Sequence, residues 1–532
     1  LDFAIERMIT SADFGDLVTD HWARHPHKLP ALAGVLLAFG YFTLGLVIPN
    51  LVALVPLLIW IDANLDRPWR VWRNAGFVFG MALNLLILSW MRSMLAISFL
   101  GIFAYLGLAL VFATGLSLAV IALAWLRKRT GWSFVVLLPA VWLTLEWVQA
   151  QGDLRMTAQH LGQSLGTVPF LVQFADLAGP YGVGLVLLVS NALLFGAWRA
   201  SSRAGRVQAL VAWGLLAGAV LSYDAWAWTH PPPASGSLRI AFLQPNVPLV
   251  SKMDPADDAR QDRLLAELTR KAAAMKAEVV IWPETARPHA LYSRPELPAT
   301  YAMPEVQALA KETGVTIVAG SEYVVVHDPK RFDAYNAVFV VHPDGRLDPT
   351  WAAKIYLVPF VEAVPFEFLL GPLLAGRGGW ARWLGGGFLP GPEDTPLPVA
   401  GTQLGVSVCY EELYFDLQRS LRNAGARVQA VITNDAWFGT TFFQTYQANT
   451  VRLRAIENRS SFVRVANTGI SMFVDPLGRD AERTELLTQE VRVSDVALTD
   501  VRTVYDRIGD VPAWAAIATF VAAAFVSWRR GR

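Results

Sequence analysis

Three stretches put reactive side chains at the ends of apolar runs. Glu278-Val-Val-Ile-Trp-Pro-Glu284 places a carboxylate just after an apolar strand, with a proline before it. Lys354 stands ahead of Leu357-Val-Pro-Phe-Val-Glu362, and Leu404-Gly-Val-Ser-Val-Cys409-Tyr-Glu411 ends another strand with the only cysteine of the chain. Taken singly, each has a plain alternative. A lone Cys is often a small buried hydrophobe, a Glu after a strand a helix-start or loop residue, and a Lys a surface charge. Together they form an acyl-transfer device. A thiol attacks a carbonyl carbon only as thiolate, so it needs a base, and a carboxylate in apolar surroundings can have its pKa raised toward that task. An ammonium, helped by backbone N–H groups beyond Cys409, can stabilise the oxyanion that forms.

The elements that must position these groups follow from periodicity. Short β-rich runs recur at Leu238–Leu243, Glu278–Trp282, Val315–Ala319, Ala337–Val341, Leu404–Val408, Val428–Thr433 and Phe462–Val465. Helix-period stretches at Ala256–Lys276, Glu412–Asn423 and Phe443–Asn458 lie between several of them. Alternating strands and helices predict an α/β layered domain, with chemistry gathered where strand ends meet one sheet edge. The segment His230-Pro-Pro-Pro-Ala-Ser-Gly236 reads as a linker ahead of it. No Gly-x-Gly-x-x-Gly fingerprint after a strand and no Walker loop occurs, so nucleotide use is unsupported. His21 and His25 stand four apart without the Glu of a zinc-protease motif, and no metal or cofactor is expected.

The rest of the chain has a different composition. Of 532 residues 54% are hydrophobic and 17% charged, against about a quarter charged in an ordinary soluble domain. That excludes a disordered chain, a wholly soluble enzyme and a nucleic-acid binder built on a basic surface. Residues 1–236 with the tail after Asp510 carry a net charge of +6, and residues 237–510 a net of −5. Apolar runs of membrane-spanning length cover Ala31–Ile61 (two helices turning at Pro49-Asn50), Asn74–Trp90, Ala96–Leu126, Trp132–Val148, Tyr181–Trp198, Val207–Trp226 and Val511–Trp528, which predicts eight spans. Arg and Lys cluster in alternate loops, at Arg67, Arg70 and Arg73, at Arg127, Lys128 and Arg129, and at Arg199, Arg203 and Arg206, while the other short loops carry only Arg92 and Arg155. The positive-inside rule then puts both termini in the cytoplasm and residues 229–507 outside; a bacterial inner membrane is the simplest setting, which places that segment in the periplasm. Expected domains are 1–236 (tail and spans one to seven), 237–507 (the exported domain) and 508–532 (span eight and tail).

Trp282-Pro-Glu284, Lys354 with Leu357-Val-Pro-Phe360, Cys409-Tyr410-Glu411, Asn434-Asp-Ala-Trp-Phe-Gly439 and Asn467-Thr-Gly469 resemble the nitrilase (carbon–nitrogen hydrolase) superfamily. Carried with eight spans in this order, they resemble within it the apolipoprotein N-acyltransferase family over nearly the whole chain. The resemblance implies an αββα sandwich with Glu284 as general base, Lys354 as oxyanion stabiliser and Cys409 as nucleophile. It also implies Glu362 as a second glutamate that positions the triad. Tyr410 and Glu411 would support the site, and Met253, Phe360 and Trp437 would contact substrate. The implied reaction is ping-pong. Cys409 takes a fatty acyl chain from a glycerophospholipid, typically phosphatidylethanolamine, and passes it to the α-amino group of a diacylglyceryl-cysteine on an apolipoprotein. A monomer with membrane and lipid partners, and no nucleic acid, is expected.

Residues 364–390 join glycine to Phe, Leu and Trp with few charges, and read as an arm that dips into the outer leaflet. Met253 stands where the family commonly has tryptophan, Val361 where it has glycine, and residues 149–180 lack its Phe-Pro-Trp-type stretch. These departures bear on substrate choice more than on chemistry. A membrane-tethered amidase that passes its acyl group to water would use the same triad. A transporter or scaffold would need ionisable residues inside the spans, for which only Glu146 and Asp224 are clear candidates.

Overall fold

Apolar runs with few internal breaks become helices in the first part of the chain, and alternation takes over after residue 233. The computed structural model describes residues 25, 27–42, 46–96, 99, 101–252, 254–293, 302–328, 331–359, 361–366, 387–392 and 394–530. The chain forms two compact units, one of Leu1–Ala150, Ala158–Trp226 and Asp510–Arg532, the other of Gln151–Thr157 and Ala227–Gly509.

The helices of the first unit are α1 (Lys28–Tyr41), α2 (Ile48–Val52), α3 (Val55–Ala63), α4 (Trp69–Ile87), α5 (Gly101–Thr130), α6 (Phe134–Gln149), α7 (Ala175–Arg199) and α8 (Arg203–Thr229). Among the described residues, α5, α7, α8 and the late helix Val511–Arg529 are long and apolar enough to cross a membrane, while Lys28–Tyr41, Ile48–Ala63 and Phe134–Gln149 are shorter. The break expected at Pro49-Asn50 lies elsewhere. α1 ends at Tyr41, and Pro49 sits in the first turn of α2, where a missing N–H is no loss. α2 yields to α3 at Ala53-Leu54, and the backbone there finds a partner in Asn191, whose Oδ1 accepts from Leu54 N at 2.8 Å and whose Nδ2 donates to Asn50 O at 2.8 Å. α7 begins before the expected Tyr181 and kinks at Gly179-Pro180, with Gly179 at φ 62°, a left-handed value suited to a residue without Cβ.

The second unit holds two sheets. One orders its strands β13-β1-β2-β4-β5-β6, from β1 (Ala234–Gln244), β2 (Val279–Ile281), β4 (Thr316–Asp328), β5 (Arg331–Val341), β6 (Ala352–Ala353) and β13 (Glu490–Thr499), with β3 (Leu291–Ser293) paired to β4. The other runs β12-β11-β10-β9-β8-β7, from β7 (Leu397–Val399), β8 (Thr402–Val408), β9 (Val428–Thr433), β10 (Ser461–Ala466), β11 (Met472–Val474) and β12 (Asp480–Ala481). Both sheets have parallel centres, β1–β2–β4 and β8–β9–β10. Helices of this unit are α9 (Leu249–Lys252), α10 (Asp258–Ala274), α11 (Pro304–Thr313), α12 (Phe415–Asn423), α13 (Phe442–Asn458) and α14 (Val504–Ile508); α15 (Val511–Arg529) returns to the first unit.

Strand alternation makes the layers, because successive side chains point to opposite faces. Ala241 and Leu243 of β1 pack with Val280 and Ile317 under Leu265 and Leu268 of α10 and Leu309 of α11. Phe242 points the other way and meets Phe473 of the second sheet at 5.0 Å between ring centroids. Ala448, Val451 and Ala455 of α13 cover Val431, Phe462 and Met472 on the far side. The order is helix, sheet, sheet, helix. Ala234 already pairs with Thr499, so the last residues of the expected linker belong to β1.

Candidate active site

The ends of β2, β6 and β8 bring the reactive residues together. Directly after Ile281, the last residue of β2, Trp282-Pro283 leads to Glu284, which is 6% exposed. Its carboxylate is held from β5 and from the residue that follows β9. Oε1 accepts from Asn336 Nδ2 at 2.7 Å, and Oε2 from the Asn434 backbone N–H at 2.8 Å. The next residue, Thr285, has φ 42°, a strained value for a β-branched side chain.

Lys354 follows β6 and is fully buried. Its backbone is fixed on both sides, with its N–H donating to Asn336 O and its carbonyl accepting from Gly391 N, each at 2.8 Å. Nζ donates to Glu362 Oε1 at 2.8 Å, lies 3.9 Å from Glu284 Oε1 and stands 5.2 Å over the Tyr410 ring. Glu362 is oriented by its other oxygen, which accepts from Val358 N at 2.8 Å. Burial alone would lower the Lys354 pKa, yet the Cys409 sulfur once ionised, with Glu362 and Glu284 beside it, outweighs burial and keeps the ammonium charged well beyond its ordinary range.

Cys409 is 8% exposed and has φ 61° at the turn between β8 and the single 3₁₀ turn Cys409–Leu413. A non-glycine residue there costs about 1–3 kcal/mol and persists only where its surroundings impose it. Glu411 imposes it. Oε2 accepts from Val408 N at 2.6 Å, and Oε1 accepts from Ile355 N at 2.7 Å and Tyr356 N at 2.8 Å, tying the cysteine turn to the lysine loop. Burial pushes the Glu411 carboxyl up to about 7 against these backbone donors and the Lys354 charge. Tyr410 donates its hydroxyl to Leu357 O at 2.9 Å. Burial and the Glu284 charge push the Cys409 thiol well above its ordinary pKa, with Lys354 opposing them. The resting sulfur is therefore a thiol that must lose its proton to react.

Glu284, Lys354, Glu362 and Cys409 thus act on one another, and Tyr410 and Glu411 brace them. Trp437 is 37% exposed on the turn Asp435–Phe438 that follows the Glu284 anchor Asn434. Met253, Phe360 and most of the arm at 364–390 lie outside the described residues. The sequence reading missed Asn336 and Lys252 altogether. Asn336 is a buried amide in an otherwise apolar stretch of β5, and that contrast was its only signal. Lys252 donates from Nζ to Glu284 O at 3.0 Å and to Thr285 O at 2.7 Å. Asn434 and Asn467 belong to two of the motifs that carry the family resemblance, which assigns neither a role. Asn467 Nδ2 donates to Asn434 Oδ1 at 2.9 Å and to Val247 O at 2.8 Å.

The family model for carbon–nitrogen hydrolases matches residues 239–506, and that for the apolipoprotein N-acyltransferase N-terminal domain matches residues 33–193. The chain is 30% identical to an apolipoprotein N-acyltransferase of Geobacter metallireducens, covering 95% of this chain and 96% of that protein. It is 32% identical to one of Gloeobacter violaceus, covering 94% and 96%. Among solved structures, Saccharomyces cerevisiae Nit3, a member of branch 10 of the nitrilase superfamily, matches with a TM-score of 0.38 and 18% identity over 50% of this chain and 91% of that one.

Proposed function

From the premise that the chain belongs to the apolipoprotein N-acyltransferase family, we propose that Cys409 carries the acyl group between donor and acceptor, with Glu284 as base and Lys354 as oxyanion stabiliser. The activity is that of an N-acyltransferase in lipoprotein maturation. The observation that carries the mechanism is the placement of the buried Lys354 Nζ, 2.8 Å from Glu362 and 3.9 Å from Glu284, on a loop that Glu411 ties to the Cys409 turn.

In the first half-reaction Glu284 takes the thiol proton while Sγ attacks the ester carbonyl carbon of a glycerophospholipid, typically phosphatidylethanolamine. The C–S bond forms, and the oxyanion is met by the Lys354 ammonium. Collapse breaks the ester C–O bond, and the lysophospholipid leaves with the proton from Glu284. In the second, the α-amino group of diacylglyceryl-cysteine attacks the thioester carbonyl and gives its proton to Glu284. The C–N bond forms and the C–S bond breaks, and the thiol recovers its proton. Keeping water away decides between transfer and hydrolysis.

The chain crosses a bacterial inner membrane eight times as a monomer, with cytoplasmic termini and a periplasmic catalytic unit. The arm at 364–390 enters the outer leaflet and gates the site, and Met253, Phe360 and Trp437 contact the lipid. Tethering suits two lipid-anchored substrates, since a local search replaces a three-dimensional one.

The test is intact-mass analysis of the purified protein with phosphatidylethanolamine alone. A fatty-acyl mass at Cys409 is expected, labile to hydroxylamine, discharged by a diacylglyceryl-cysteine peptide and absent in Cys409→Ala. Discharge by water as fast as by peptide would make the chain a hydrolase.

A further inference from the structure

The turn that carries the Glu284 carboxylate is held from its backbone side by a cation outside the Glu–Lys–Cys arrangement. Lys252 ends the short helix α9 and reaches two consecutive carbonyl oxygens, those of Glu284 and Thr285, at 3.0 and 2.7 Å. Thr285 is the strained residue, at φ 42°. Below, the turn rests on Gly320, where a Cβ would stand 2.5 Å from Pro283 O and 2.9 Å from Thr285 N. A left-handed Thr pressed on a neighbouring strand stays in place only if its free carbonyls are also held.

The contacts close a circuit. The Glu284 carboxylate accepts from Asn434 N, Asn434 Oδ1 accepts from Asn467 Nδ2, and Asn467 exchanges hydrogen bonds with Val247, accepting from its N–H at 2.9 Å and donating to its carbonyl at 2.8 Å. Val247 leads into α9, and Lys252 returns to the Glu284 backbone. α9 also presents Val250, 82% exposed, to its surroundings. The segment that offers an apolar side chain outward is thus the one that anchors the base.

We propose that Lys252 is a positioning residue for acyl transfer, its ammonium tying the 247–252 segment to the Glu284-Thr285 turn so that the base holds its orientation only while Lys252 is charged. This rests on the assignment of Glu284 as base and Cys409 as acyl carrier. The charged groups acting on Lys252 are Glu284 and, from β4, Glu322. Burial lowers the Lys252 pKa to about 8, against the pull of those two carboxylates. The thiol and Lys354 both titrate above their ordinary ranges, so neither supplies a falling limb near that pH.

The experiment follows acyl-Cys409 formation by intact mass in the full-length protein with phosphatidylethanolamine vesicles, from pH 6.5 to 9.5. Wild type is expected to slow as pH rises through about 8. Lys252→Met is expected to be slower by about 10²-fold at neutral pH, the scale of a misplaced catalytic group, and to lack that falling limb. Lys252→Arg should recover most of the neutral-pH rate and keep it at pH 9. Wild-type rates in Lys252→Met, or a limb near pH 8 surviving in Lys252→Arg, would overturn the inference while leaving the acyl-enzyme intact. If Lys252→Met does not fold, the shape of the Lys252→Arg profile alone decides. Absence of any adduct in wild type would overturn both this inference and the reading beneath it.

Discussion

Lys354 lies between Glu362 and Glu284, and Arg464 lies between Glu412 and Asp435, so two buried sites in the α/β unit each set one cation against two carboxylates. Their donors are spent differently. Arg464 has five N–H donors and five acceptors: Nε on Glu412 Oε2 at 2.8 Å, Nη1 on Asp435 Oδ2 at 3.0 Å and Ile470 O at 2.6 Å, Nη2 on Glu412 Oε1 at 3.0 Å and Asp435 Oδ1 at 3.5 Å. Lys354 has three donors and, among the described residues, one hydrogen bond, to Glu362, with Glu284 too far away at 3.9 Å. The saturated cluster has no capacity for a new anion and fixes the Cys409 and Asn434 turns by pairing their neighbours. The unsaturated one keeps unspent donors, as the proposed oxyanion role of Lys354 requires. Equal charge composition does not make equal sites, since the unspent hydrogen bonds decide which one can do chemistry.

The comparison breaks most sharply at Arg464. Arg464→Met leaves Glu412 and Asp435 buried without the cation that hydrogen-bonds both of them, a loss of about 3–5 kcal/mol. A large fall in the thermal unfolding midpoint in detergent is expected, and a midpoint near that of wild type would mean the cluster is not the brace described. Next in size is Lys354→Met. It should slow thioester formation by about 10²–10³-fold, the scale of a lost oxyanion donor, with a smaller fall in the midpoint. The smaller fall follows because Glu284 keeps Asn336 and the Asn434 N–H, and Glu362 keeps the Val358 N–H. Single-turnover acylation beside thermal melts separates the two clusters, and the contrast fails if both variants lose stability and rate in equal measure.

The candidate site residues were more legible in the sequence than the groups that hold them. Glu284, Lys354 and Cys409 stand out because apolar strands end on them, and β9 occupies the same residues in the structure as in the pattern, 428–433. β4 and β5 reach beyond their apolar cores, to Asp328 and from Arg331, because a hairpin pairs polar residues as readily as apolar ones. β13 was invisible, since its half-polar stretch becomes a strand only by pairing with β1 more than 200 residues earlier. Residues 151–157 were read with the loops of the helical part. Their place in the α/β unit depends on long-range contacts, the Thr157 hydroxyl on Leu413 O at 2.7 Å and Arg155 4.3 Å over the Tyr356 ring. Arg464 sat inside the run Phe462–Val465 and drew no notice, because only the fold supplies the two carboxylates that make a buried arginine tolerable.

The smallest effect is the most discriminating, because one substitution should move two rates in opposite directions. Glu284 raises the Cys409 pKa by its charge, after burial, and Lys354 lowers it. Glu284→Gln removes the first influence and keeps the shape, so the thiol pKa falls toward its ordinary value. At any pH below that pKa the thiolate fraction then rises about tenfold for each unit of fall, and the loss of intrinsic nucleophilicity leaves about a threefold net gain. Iodoacetamide, which needs only thiolate, should therefore alkylate Cys409 faster in Glu284→Gln than in wild type at pH 8. Acylation by phospholipid, which needs the proton taken from sulfur and later delivered to the leaving alcohol, should slow by about 10²–10⁴-fold. Lys354→Met should slow alkylation, because the lost cation was the influence holding the thiol pKa down. If Glu284→Gln slows both reactions alike, the carboxylate acts by holding the turn rather than by moving a proton, and the open cluster would differ from the closed one in tightness alone.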